Sequence, residues 1–452
     1  MILLGEITNA NKVKYKDFCA EGDIPYGVET VSGALQTLAT EARKGSEVSD
    51  ALFKYFETHQ NGGADTLKNI LNPAPLNIPN DVAVRMYGKD LTVSPTALDS
   101  YHKCSFNYFC KYGLKAYPKE QVSIDAAARG TIVHAVLENL VNKYMDKTFT
   151  NYSPDILKKE ARNLTDAYVE EHLGGYADKT QTFIYEINSI KKSLDFIVEY
   201  MAKELSGSKF RAVKCELKMD KYGDINPEEI PLTQGGTISV KGVVDRLDAY
   251  EEDGVTYLRV VDYKTGNKDL HIGDIYCGIG LQMFVYLFTL VKSKKFGEDS
   301  RPAAVLYFPA RAKALGKSDA PAQKMKGVVL NDQAVMDASN TAFMPYTINK
   351  NGSIGARSWL GSEDFFEGTE NKIRDILRNM GDNLHKGEIS ANPLDPKGGD
   401  ACQYCVYVTV CPHGNTALHG KTPVETEKMK KDILERGDYD GTFSNGTTEE
   451  GD

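Results

Sequence analysis

The sequence contains no apolar run approaching the roughly 20 residues that a membrane-spanning helix needs. Its start, "MILLGEITNANKVK", has only a very short apolar stretch broken by Glu6, so a secretory signal is not expected there. The expected compartment is the cytoplasm, where thiols stay reduced. The eight cysteines then read as free thiols or metal ligands, not as disulfides. There is no excess of basic charge: 54 Lys and Arg stand against 63 Asp and Glu, for a net charge of −9. That argues against a general nucleic-acid coat but leaves room for a local basic channel. A P-loop is missing as well. "GKS" at 316–318 and "GKT" at 420–422 lack the required upstream glycine, where Arg311 and Asn415 stand. Hydrolysis of ATP by this chain is therefore not expected.

What is present divides into three regions. Residues 1–90 read as a helical lead-in, with helical spacing over 28–71, a break at "NGG" and a boundary at the proline-rich "NPAPLNIPND". The main body follows at 91–415. Residues 416–452 end in Asp438, Asp440, Glu449, Glu450 and Asp452 without a compensating Lys or Arg after Gly437, and read as a disordered acidic tail. Within the body, Ser94 suits a helix N-cap and Pro95 the first turn. "RGTIVHAVLENLVNKYM" gathers Val133, Val136, Leu137, Leu140, Val141 and Tyr144 on one side of a helix. More helix is expected over 154–206. The period then changes to strands at "RAVKCELK", "TISVKGVVDRLDAY" and "TYLRVVDYK", returns to helix at "GLQMFVYLFTLVKS", and gives another strand at "AAVLYFPA" and a last long helix at about 363–386.

The second and third of these strands are joined by "EEDGV", and Asp253-Gly254 is a strong hairpin signal. If those two residues form the loop, Glu252 faces Val255 and Asp245 faces Asp262. Carboxylates opposed in this way repel unless something positive lies between them. Lys264 projects from the same face as Asp262, two residues on. Two acids and a lysine at one spot suit a hard divalent cation that takes oxygen ligands and holds a phosphate. The plain alternative is a solvated charged face. His134 lies at the border of its helix's apolar stripe, where a boundary histidine needs no function. Gln282 and Tyr286 share a helical face. Glu216 in "KCELK" is ambiguous.

Taken together, "GTIVHAVLE", "GVVDRLD", "VVDYKTG" and "LQMFVYL" resemble, in order, the four motifs of the RecB-like nucleases of the PD-(D/E)xK superfamily. The resemblance implies an α/β fold: a restriction-endonuclease-like core with a mixed central sheet flanked by helices. It implies that His134, Asp245 and Asp262 bind Mg²⁺ or Mn²⁺, that Lys264 supports the attacking water, and that Gln282 and Tyr286 lie beside the site near the DNA backbone. Glu216 matches an acidic position found in some members. "SPTALDSYHKCSFNYFCKYGL", "VLYFPARAKA", "GVVLNDQAVMDA" and "ACQYCVYVTVCPHG" are similar to the nuclease half of AddB-type subunits of bacterial AddAB helicase-nucleases. That family implies a DNA exonuclease acting in double-strand-break processing on the strand with the free 5′ end, and an AddA-like helicase-nuclease partner. Ser105 departs from the family, which usually has Pro there. Lys292, Lys294, Lys295, Arg311 and Lys313 are candidates for a DNA channel, without an assigned role.

Three cysteines, Cys402, Cys405 and Cys411, stand in a C-x2-C-x5-C spacing. The AddB-type resemblance pairs them with the distant Cys104 as ligands of a [4Fe–4S] cluster that staples the two ends of the nuclease domain. Spacing alone also admits zinc. Cys110 is six residues after Cys104 and is a competitor, although "FCKYGL" suggests a packed thiol. His413 is a possible substitute ligand, and Cys19, Cys215 and Cys277 read as structural. Two other functions compete: a different RecB-like exonuclease of the CRISPR-adaptation type, and a non-catalytic Fe–S scaffold that binds DNA or a helicase.

Overall fold

The structure, a computed structural model, describes residues 30–41, 47–58, 76–117, 126–144, 151–264, 270–310, 323–355, 358–394 and 401–411. The acidic tail, Cys19, Arg311, Lys313, His413 and both P-loop-like fragments lie outside the described residues.

Helices α1 (Val31–Glu41) and α2 (Glu47–Thr58) pack through Leu38 and Phe56 in a small apolar cluster of their own. Helix α3 (Asn80–Tyr87) starts behind Pro79 and leads to strand β1 (Leu91–Val93). Helix α4 (Pro95–Lys103) begins as its sequence dictates: the Ser94 hydroxyl accepts from Ala97 N at 3.2 Å, and Pro95 opens the first turn. Cys104 interrupts it with extended backbone before α5 (Ser105–Tyr108), which continues as a π-helical turn over Phe109–Gly113. Helix α6 (Ala126–Tyr144) buries Val133, Val136, Leu137, Leu140 and Val141 as its periodicity requires. Helices α7 (Pro154–His172) and α8 (Gln181–Ser206) follow.

The chain then enters two sheets. Strands β2 (Arg211–Met219), β5 (Gly242–Glu252), β6 (Val255–Lys264), β7 (Ser300–Pro309), β8 (Lys326–Leu330) and β9 (Leu360–Gly361) form a six-stranded sheet in the order β2-β5-β6-β7-β8-β9. It is mixed: β6–β7 and β8–β9 run parallel, and the other neighbours run antiparallel. A second sheet joins β1, β4 (Thr237–Val240) and β3 (Ile230–Pro231). The stretch "TISVKGVVDRLDAY" is therefore two strands in two sheets. Lys241, whose N–H goes to Val93 O at 2.9 Å, is the joint between them. Helices α9 (Ile272–Tyr276), α10 (Gln282–Ser293), α11 (Gln333–Ala338) and α12 (Glu363–His385) complete the chain, with α10 packed on β6 and β7. Strand β6 is buried along nearly its whole length, as a central strand covered on both faces must be. Among the described residues, no helix is long and apolar enough to cross a membrane.

Candidate active site

The hairpin between β5 and β6 sets the geometry. Asp253 and Gly254 both have positive φ, 51° and 82°, as a two-residue loop twisted with its strands requires. The ladder runs from Glu252↔Val255 to Arg246↔Val261. One step beyond it stand Asp245 and Asp262, both buried, at 8% and 2% exposure. Buried carboxylates need partners. Asp245 Oδ2 accepts the Tyr263 N–H at 2.9 Å, and its Oδ1 is 3.4 Å from His134 Nδ1. Lys264 Nζ is 2.6 Å from Asp262 Oδ2, a charged contact that gives this buried oxygen its partner.

His134 comes from α6 and reaches across to Glu216 of β2, whose Oε1 is 3.3 Å from Nδ1. Glu216 has a left-handed backbone, φ 47°, in the middle of an otherwise extended strand. For a residue with a long side chain this costs about 1–2 kcal/mol, and such strain persists where the surroundings demand it. Ligand atoms of His134, Glu216 and Asp245 all lie within 4.8 Å of one another. An octahedral Mg²⁺ with oxygens at about 2.1 Å sets its ligand atoms about 3–4 Å apart. The site is thus close to that size, and Asp262, paired with Lys264, stands beside it. The donor set fits a hard divalent cation.

The electrostatics agree. Burial disfavours the His134 imidazolium, but hydrogen bonds and charge from Asp245 and Glu216 outweigh it and push its pKa up to about 10. Burial and the Asp245 charge push Asp262 up to about 6, against the pull of Lys264 and His134. Both shifts mark a spot where crowded carboxylates call for positive charge.

The helix that carries Gln282 and Tyr286 supports the same spot. Tyr286 is buried and is bonded to the Val243 backbone and the Gln282 side chain, at the start of β5 and just ahead of Asp245. Burial raises its pKa above the usual phenol range. The structure brings His134, Glu216 and Asp245 together, joins Lys264 to Asp262, and sets Gln282 and Tyr286 near Asp245. Of the channel candidates, Lys292 pairs with Glu228 and Glu370, and Lys295 donates to Asp224 O.

Residues 92–412, well over half of the chain, match the PD-(D/E)XK nuclease superfamily. The chain belongs to that superfamily. Its similarity to curated proteins points the same way. It is 27% identical over 372 residues to an ATP-dependent helicase/deoxyribonuclease subunit of the AddB type from Clostridium botulinum (strain Loch Maree / Type A3), covering 77% of this chain and 32% of that protein. The protein of the same name from Clostridium novyi (strain NT) is 29% identical over 373 residues, covering 78% and 33%. That of Acetivibrio thermocellus is 27% identical over 387 residues, covering 81% and 33%. The chain spans about a third of the length of these relatives.

Beneath the site, on the other face of the PD-(D/E)XK hairpin, lies a group the motifs do not announce. Arg246 and Arg259 are fully buried with Glu204 and Asp248. Arg246 Nε donates to Asp248 Oδ1 at 2.8 Å, Arg259 Nε to Asp248 Oδ2 at 2.8 Å, and Arg259 Nη2 to Glu204 Oε1 at 2.7 Å. The quartet ties β5, β6 and α8 together directly behind Asp245 and Asp262.

The cysteine loop at 401–411 packs against residues from the opposite end of the domain sequence. Asn107 Nδ2 donates to Cys405 Sγ at 3.5 Å, and Tyr407 Oη donates to Ala116 O at 2.6 Å. Leu394 N–H reaches Lys103 O at 2.7 Å beside Cys104. The segment that carries Cys402, Cys405 and Cys411 is therefore packed against the helices that flank Cys104, and cysteines are donors of the kind that hold a thiolate-bound metal group.

Proposed function

We propose that this nuclease domain hydrolyses DNA phosphodiester bonds with Mg²⁺ or Mn²⁺ held by His134, Asp245 and Asp262, with Glu216 as a further ligand. The observation that carries the reading is the convergence of two buried carboxylates and Lys264 at one end of a single hairpin. When bound, the ion would neutralise the phosphate and lower the pKa of a coordinated water. Lys264 orients that water and stabilises charge that develops on the phosphoryl oxygens. His134, without its proton, offers Nδ1 as a ligand. Tyr286 and Gln282 hold the start of β5 so that Asp245 keeps its aim. Products carry 5′-phosphate and 3′-hydroxyl ends.

The AddB-type similarity supports single-stranded DNA with a free 5′ end as substrate, an exonuclease mode in double-strand-break processing, and an AddA-like helicase-nuclease as partner, in the cytoplasm. In this reading residues 1–90 lead into the nuclease and 91–415 form it. Cys104, Cys402, Cys405 and Cys411 hold a [4Fe–4S] cluster that staples its ends. The test is cleavage of single-stranded DNA labelled at either end, in Mg²⁺ and in chelator, by the wild type and by Asp262→Ala. Mg²⁺-dependent products from the wild type alone support the reading. Equal background from both proteins would favour a non-catalytic scaffold.

A further inference from the structure

Helix α4 is fixed at both ends. At its start, β1 pairs in parallel with β4, and Val93 O accepts the Lys241 N–H at 2.9 Å. At its end, Lys103 O accepts the Leu394 N–H at 2.7 Å. Asp99 and His102, three residues apart, are neighbours on its surface. Both meet the loop that enters α10. Asp99 Oδ1 accepts the Gly280 N–H at 3.0 Å, two residues before Gln282. His102 lies against Gly278, where a Cβ would overlap its ring. Gly278 and Gly280 have φ of 81° and 69°, a left-handed backbone that glycine adopts without steric cost. The loop thereby brings its backbone onto α4. Helix α10 starts behind Leu281, which gives it no side-chain cap, so a carboxylate from α4 holds its entry instead.

This contact closes a ring of connections around the candidate active site. From Gly280 the chain runs into α10, where the Tyr286 hydroxyl lies against the backbone of Gly242. Gly242 opens β5 next to Lys241, which is bonded back to Val93 at the head of α4. Asp245 stands three residues further along β5.

We infer that Asp99 is a positioning residue of the nuclease site: by holding the entry to α10 it keeps Tyr286 seated on β5 and Asp245 aimed at the metal. This rests on the nuclease reading above. Asp99 lies outside the proposed ligand set and acts through α10.

The test uses the full chain as wild type, Asp99→Ala, Asp99→Asn, Tyr286→Phe and the double variant Asp99→Ala/Tyr286→Phe. Amide hydrogen exchange is read first, without metal. Asp99→Ala is expected to speed exchange about tenfold or more in two segments, 279–286 and 241–246, and to leave β8 unchanged. Asp99→Asn, whose amide oxygen still accepts the Gly280 N–H, is expected to keep wild-type exchange. Faster exchange at 279–286 alone, or throughout the domain, overturns the inference.

Mn²⁺ titration and single-turnover cleavage follow. Asp99→Ala should weaken Mn²⁺ binding and slow cleavage by about tenfold, the loss expected from one hydrogen bond to a charged group, and Asp99→Asn should recover most of both. In the Tyr286→Phe background, Asp99→Ala should add less than about threefold, because both act along one path. A full tenfold addition there, or equal losses from Asp99→Asn and Asp99→Ala, contradicts the positioning role. A wild type that neither binds Mn²⁺ nor cleaves DNA overturns the nuclease reading itself, and the exchange data, which need no metal, tell that outcome apart from failure of the Asp99 link.

Discussion

The hydroxyl of Tyr286 occupies the place where a side chain on Gly242 would begin: a Cβ built there lies 1.8 Å from Tyr286 Oη and 2.7 Å from its Cζ. Tyr286 is 1% exposed and has nowhere to retreat. The glycine that opens "GVVD" and the tyrosine that closes "LQMFVY" are thus one device, which fixes the start of β5 ahead of Asp245. Gly242→Ala is expected to destabilise the domain by about 1–3 kcal/mol through overpacking. It should also lower cleavage more than this loss of folded protein accounts for. Adding Tyr286→Phe removes the nearest clashing atom and should restore part of the stability. Denaturant unfolding of both variants checks this, and strictly additive losses would contradict it.

Lys264 and Asp245 should separate in their effects. Lys264 pairs with Asp262 but is not among the proposed ligands. Lys264→Ala is expected to slow cleavage by about 100-fold or more, with metal affinity changed far less. Asp245→Ala removes a carboxylate that also meets His134 and the Tyr263 N–H, and should weaken metal binding and cleavage together. Isothermal titration with Mn²⁺, beside single-turnover cleavage, distinguishes the two patterns.

The buried quartet behind the site is a stability element with a pH signature. Burial works against the Asp248 carboxylate, but Arg246 and Arg259 outweigh it and hold its pKa below the usual range. A depressed folded value stabilises the fold fully above the unfolded pKa of about 3.9, and that stability is lost as pH falls from there through the folded value. Asp248→Asn should therefore flatten the acid limb of the unfolding curve below about pH 4. Arg259→Ala leaves two buried acids to Arg246 alone and should cost about 3–5 kcal/mol. Thermal melts across pH check both.

Glu216 contributes a carboxylate at the expense of a left-handed backbone. Glu216→Gly should relax the strand and leave stability within about 1 kcal/mol of the wild type. It should weaken Mn²⁺ binding, because the site loses one oxygen ligand. Unchanged affinity would remove Glu216 from the proposed ligand set.

Much of this arrangement was legible in the sequence because β-hairpins obey arithmetic. Once Asp253-Gly254 is the loop, the register through Arg246↔Val261 follows, and with it the approach of Asp245 to Asp262. The same register sets Asp248 against Arg259, so the quartet was within reach; the alternation of "DRLD" puts Arg246 and Asp248 on the face away from Asp245. What it lacked was the third element, since Glu204 arrives from a helix far away in sequence. The split of "TISVKGVVDRLDAY" between two sheets was hidden for a related reason. Both halves have strand composition, and what separates them is tertiary: the first half pairs with β1 and the second with β2. Nor can spacing reveal the reversed φ of Glu216 or the π-helical turn Phe109–Gly113, since neither leaves a mark in the pattern of residue types.

The central claim is that His134, Asp245 and Asp262, joined by Glu216, hold the ion that hydrolyses DNA. Anomalous diffraction from crystals soaked in Mn²⁺ tests it most directly. The account requires a peak bounded by those side chains, and its disappearance in Asp245→Ala. A wild-type crystal with Mn²⁺ elsewhere and none at this cluster, from protein that cleaves DNA in the same Mn²⁺ solution, would contradict it.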